Sequence, residues 1–115
     1  MNAHERRAAV ATAVVVSDIR AERARQVSVE GWTPAHDDQH AGGDLAVAAA
    51  CYAFSGSGQR FEATLDQPAA VWPWDRIWWK PKDRRRDLVR AAALIVAEIE
   101  RLDRLTGEAA RAVKQ

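Results

Sequence analysis

A chain of 115 residues with 48% apolar and 29% charged side chains has the balance of one ordinary globular domain, which excludes a disordered tail and leaves too little chain for two cores. Folding at this length buries roughly two-thirds of the unfolded surface, so no covalent staple is required, and the single cysteine, Cys51, could not form one within the chain. A formal charge of +1 lacks the basic excess of a phosphate-backbone binder, so there is no strong case for DNA or RNA as a partner.

The N-terminus, His4-Glu5-Arg6-Arg7 followed by Ala8 to Val16, imitates a secretory leader. Its apolar run is short and alanine-rich, no small-x-small cleavage site follows, and the charged helical pattern continues into Asp18-Ile19-Arg20-Ala21-Glu22. No run is long enough to span a bilayer, and the expected location is cytoplasmic, with no membrane partner. From about Glu5 to Val29 only good or neutral helix formers occur, and Gly31 suits a C-terminal stop. Thr33 and Pro34 are suited to the N-cap and first position of one or two further turns. Gly42-Gly43 breaks the chain, and Asp44 opens an apolar run, Leu45 to Phe54, whose length and alanine content predict a buried helix with Cys51 as a small core residue.

Ser55 to Asp66 carries no helical period and reads as a loop or short hairpin. Pro68, Pro73 and Pro81 exclude a long helix from the next stretch, which holds Trp72, Trp74, Trp78 and Trp79. From Asp83 onward Leu88, Ala92, Ile95, Ile99 and Leu102 recur at spacings of four, three, four and three, which predicts a helix with one apolar stripe. Arg84, Arg86, Arg90, Glu98, Glu100, Arg101 and Asp103 mostly fall off that stripe, on faces expected to meet solvent. Thr106-Gly107 is expected to end or kink the helix. The predicted fold is all-α: three to four packed helices in a single helical domain over residues 1–115, with a long Trp/Pro-rich connection before the last long helix.

Two neighbourhoods could carry chemistry. Between Glu30 and His40 lie two imidazoles and three carboxylates. On a helix His36 and His40 share a face one turn apart, a spacing two metal ligands can use, and Glu30 could complete a divalent metal site with Asp37 or Asp38 nearby. The alternative is a set of capping and surface residues around a turn. In the second neighbourhood Trp72, Trp74, Trp78 and Trp79 are interleaved with Lys80, Lys82 and Arg84-Arg85-Arg86. Flat aromatic faces beside cations suit a base plus a phosphate, whereas the alternative has Trp72, Trp78 and in part Trp74 plugging the core and Lys80 to Arg86 as a solvated helix start. Three arginines in the first turn of a helix oppose its dipole, an arrangement that an anionic ligand would relieve.

On Glu30-Gly31-Trp32-Thr33, His36-Asp37-Asp38 with His40, Leu45-Ala46, Trp72-Pro73-Trp74, Trp79-Lys80-Pro81 and Ala97-Glu98-Ile99-Glu100-Arg101, the chain resembles a set of small proteins that recur in tailed-phage and prophage genomes. The resemblance covers about Arg20 to Arg104. It implies a phage accessory role in the bacterial host's cytoplasm, in nucleotide metabolism or in interference with host defence.

Three functions follow as expectations. The first is a pocket for a nucleotide-like anionic ligand, as in a counter-defence protein that sequesters a nucleotide signal. Trp32, Asp37, Asp38, Trp74, Trp78, Trp79, Lys80, Lys82 and Arg84 would form it. The second is a metal-dependent nucleotide or phosphoester hydrolase with metal on Glu30, His36 and His40. The third is a protein-binding inhibitor of a host defence complex, using exposed tryptophans beside arginines. Leu45, Ala48, Ala49 and Tyr52 could additionally form a stripe for a homo-oligomer.

Overall fold

The protein is described from a computed structural model, covering residues 1–59 and 70–114, of which 108–114 as backbone only. It is all-α. Helix α1 spans Ala3–Ser28, α2 is the short Pro34–Asp37, α3 spans Asp44–Gly56 and α4 spans Arg84–Lys114, with one 3-10 turn at Arg76–Trp78. No strand occurs among the described residues, and no helix there is long and apolar enough to cross a membrane.

Local chemistry places most boundaries. Asn2 caps α1 by accepting from the Glu5 amide at 2.8 Å. After Ser28 the chain reverses through Gly31, at φ 76°, a conformation that disfavours a side chain. Thr33 caps α2 by accepting from the His36 amide at 3.2 Å, and Pro34 stands at the first helical position. Asp83 caps α4 by accepting from the Arg86 amide at 2.9 Å. Two boundaries differ from the sequence-based expectation. The loop expected from Ser55 starts after Gly56, and residues 60–66 of that segment lie outside the described residues. Helix α4 runs straight through Gly107 to Lys114, because one helical glycine costs only about 1 kcal/mol and good helix formers follow it.

The core lies between α3 and α4. Leu45, Ala48, Ala49, Cys51 and Tyr52 from α3 pack against Ala91, Leu94 and Ala97 from α4, closed by Trp72 and Trp79 from the connection. Alanines on both helices keep side chains short where the backbones approach. Cys51 is fully buried, which pushes its thiol pKa up and keeps it unreactive. The α3 stripe of Leu45, Ala48, Ala49 and Tyr52 is at most 1% exposed, so it is core and is not free for self-association.

Helix α4 presents a different face from the one expected. Leu88, Ile95, Ile99 and Leu102 are each about half-exposed, whereas Asp87, Arg90, Glu98 and Arg101 are buried. The reason lies across the contact, where α1 and α3 offer polar partners. Glu22 of α1, fully buried, takes hydrogen bonds from Arg25 at 2.7 and 3.0 Å, from Arg86 and from Gln26 at 3.2 Å, with Arg90 at 3.7 Å. Asp87 accepts from Ser55 of α3 and from the Lys82 amide, both at 2.7 Å, and Glu98 pairs with Arg101 at 2.6 Å. The second half of α1 therefore docks by paired charges, and the first half, residues 3–17, is exposed throughout.

Candidate functional site

Arginines from the two long helices set the position of α2. Arg23 of α1 donates to the Trp32 carbonyl at 3.2 Å, to Asp37 at 2.6 Å and to Glu100 of α4 at 3.3 Å. Arg104 of α4 donates to Asp38 at 2.8 Å and to the Pro34 carbonyl at 3.3 Å. Asp37 and Asp38 are thus taken up by these arginines and are not among the side chains that line the cavity. Burial pushes the Asp37 carboxyl above its ordinary value, outweighing the pull of Arg23.

The tryptophan-rich connection is fixed from the other side by Tyr52. Its hydroxyl accepts from the Lys80 amide at 3.0 Å and from Arg90 at 3.2 Å, and donates to the Trp78 carbonyl at 3.4 Å. Arg90 also donates to the Lys80 carbonyl. Burial raises the Tyr52 pKa against the lowering effect of these donors, so the phenol stays neutral. Its ring stacks on Trp79 with centroids 4.8 Å apart and meets Trp72 edge-on at 5.6 Å. Trp72 and Trp79 are therefore core residues: the packing alternative had Trp72 there, but it paired it with Trp78, which is 39% exposed, and Trp79, expected on the ligand surface, fills the core in its place.

Between these supports lies a cavity of about 310 Å³, lined by Glu30, Trp32, His36, His40, Trp74, Asp75 and Trp78. Trp74 is its centre, 5.5 Å from the Trp32 ring, 5.5 Å from His40 and 5.4 Å from the buried Trp72. The ring centres of His36 and His40 stand 4.8 Å apart, although α2 ends at Asp37 and the two do not share the one helix that their spacing suggests. Lys80 places its ammonium 5.4 Å from the Trp78 ring centre and 3.6 Å from Glu30. Of the lining side chains, Trp74 buries its Nε1 with no hydrogen-bond partner, and the buried His36 Nδ1 lies 3.9 Å from Asp37 Oδ1.

The structure brings Trp32, Trp74, Trp78, Glu30, His36 and His40 to one place, with Lys80 beside Trp78 and Glu30. It does not bring Lys82 or Arg84 there. Arg84 donates instead to the Gly56 and Ser57 carbonyls at 3.1 Å each, where a cation satisfies the negative end of α3, and Lys82 is exposed. The arginine run at the start of α4 is relieved from within: Arg85 pairs with Asp18 at 2.7 Å, Arg86 pairs with Glu22, and Asp83 caps the turn. A second cleft of about 460 Å³ between α1 and α4 is lined by Asp18, Glu22, Arg25, Arg85 and Arg86, and each of these arginines already holds a carboxylate.

Among the described residues no three His, Cys, Asp or Glu side chains form a group able to hold a metal ion. Glu30 is engaged by Arg25 at 3.1 Å and by Lys80, and His40 lies 3.3 Å from Asp44, so the expected Glu30, His36 and His40 set does not assemble as metal ligands.

Sequence reasoning missed Asp75 as a lining residue and Arg23, Arg104 and Glu22 as the charges that build the frame. One signal was available: from Asp18 to Gln26, α1 has no large apolar residue after Ile19, so any buried face it forms there has to be polar. No family model matches the chain, and no curated protein or solved structure matches it either, so the reading of this cavity rests on its geometry alone.

Proposed function

We propose that the chain is a binding protein for a planar, nucleotide-like ligand held in the cavity around Trp74, in the manner of a phage accessory protein that sequesters a nucleotide signal. The observation that carries the reading is the aromatic cavity centred on Trp74, whose indole Nε1 is buried there without a hydrogen-bond partner. An indole N–H can only donate, and leaving it buried without an acceptor costs about 1–3 kcal/mol, which a ligand acceptor would recover. The cavity volume sits at the lower end for small-molecule sites and suits a base or nucleoside more than a long chain.

In this reading the ring stacks on Trp74 or Trp78, worth about 1–3 kcal/mol per stacked base. Glu30 and Asp75 accept from exocyclic amines. Phosphate lies toward Lys80, which stands against the Trp78 ring, so the ring contributes more than the anionic part of the ligand does.

Titration with mono-, di- and cyclic nucleotides, read by tryptophan fluorescence and melting temperature, tests it. Quenching together with a rise in melting temperature, both lost in Trp74→Ala, is the expected result. A panel that moves neither readout at millimolar concentration refutes the reading.

A further inference from the structure

We propose that the exposed stripe on α4 is a two-fold seam between two copies of this chain, paired antiparallel. Leu88, Ile95, Ile99, Leu102 and Leu105 keep 45–58% of their surface in water, and Val96 beside them keeps 37%. Monomeric domains seldom leave a continuous apolar band of that length uncovered. The spacing of four, three, four and three from Leu88 to Leu102 is the heptad repeat with which one helix meets another in a coiled coil, and a face built on it complements itself.

The area fits this occupant. The exposed parts of these side chains amount to on the order of 500 Å² per copy, and the stems flanking them over five helical turns bring the seam toward the roughly 800 Å² per partner of a standard interface. Polarity fixes the orientation. The exposed Arg85 precedes the stripe, and the exposed Asp103 follows Leu102 with no partner of its own among the described residues. A parallel pair sets like charges side by side at each end, whereas an antiparallel pair sets Arg85 of one copy beside Asp103 of the other. In that register Leu88 lies opposite Ile99 of the second copy and Ala92 opposite its Ile95, and the small Ala92 admits close approach. Arg85 keeps its bond to Asp18 only as an exposed pair, which is cheap to share or exchange.

Light scattering of the full chain over a concentration series is the test. The expected result is a monomer–dimer equilibrium. Ile95→Glu with Ile99→Glu raises the dissociation constant by roughly a hundredfold or more, because two unpaired carboxylates per copy would enter an apolar seam. Both positions are half-exposed in the single chain, so the variant keeps its helix content and cooperative unfolding, checked by circular dichroism. Asp103→Arg also weakens the dimer, and adding Arg85→Asp to the same chain restores it. A protein that stays monomeric at every concentration overturns the proposal, as does a dimer that the paired glutamates leave intact. Failure of the double charge reversal to restore association overturns the antiparallel arrangement.

Discussion

Glu22 gathers cations from two helices, and its charge state therefore reaches further than its own hydrogen bonds. Burial alone would raise its carboxyl, but the hydrogen bonds and charges of Arg25 and Arg86 prevail and hold it below the usual glutamate value. A group depressed in the fold contributes stability above its unfolded pKa and loses it as pH falls through the lower folded value. Asp37, raised by burial, has the opposite sign: its contribution is present at low pH and is lost as pH rises through its folded value. Glu22→Gln should therefore flatten the acid limb of a stability–pH curve and Asp37→Asn should steepen it, as measured by urea unfolding across the carboxylate range. At neutral pH Glu22→Gln should also cost about 3 kcal/mol, because the cations it gathers lose a charged partner. Equal acid limbs in the two variants would contradict this assignment.

At the scale of elements, α3 and α4 approach closely at Gly56. A β-carbon built there would stand 2.6 Å from Leu88 Cγ and 3.0 Å from the Arg84 carbonyl oxygen. Alanine would gain up to about 1 kcal/mol of helix propensity, but it presses on a backbone atom as well as a side chain, and overpacking of that kind costs about 1–3 kcal/mol. Gly56→Ala should lower the melting temperature by several degrees, and a rise would show that the junction yields. Much of the element plan was legible in the sequence. Thr33-Pro34, Gly42-Gly43, Asp44, Pro73 and Pro81 mark boundaries through local chemistry, and that chemistry acts as expected. The facing of α4 was not legible: periodicity detects which residues are apolar, whereas burial depends on what the neighbouring helix offers, and α1 offers Glu22, Arg23 and Gln26. For the same reason the histidine and tryptophan cluster could be read from spacing, but the separation of Trp74 and Trp78 from the buried Trp72 and Trp79 could not.

Across the whole molecule two kinds of adhesion divide the labour. The α3–α4 pair is joined through its apolar core, while α1 and α2 are held to α4 by ion pairs through Arg23, Arg86 and Arg104. Charge pairs at partly exposed positions weaken with salt, and apolar contacts do not. Raising ionic strength at mildly acid pH should therefore reduce the proposed nucleotide binding before it reduces the helix signal of the core, because Arg23 and Arg104 set the wall that carries His36. Parallel loss of the two signals would contradict that division.

The polar docking of α1 also divides the protein into units of unequal lifetime. Amide hydrogens in α3 and the first half of α4 can exchange only when the apolar core opens, whereas those of α1 need only the release of a few guanidinium–carboxylate bonds. Exchange should then proceed in stages. Residues 3–17, which are exposed throughout, exchange first, the rest of α1 follows as one block whose protection falls on acidification, and the amides around Leu94 and Tyr52 come last.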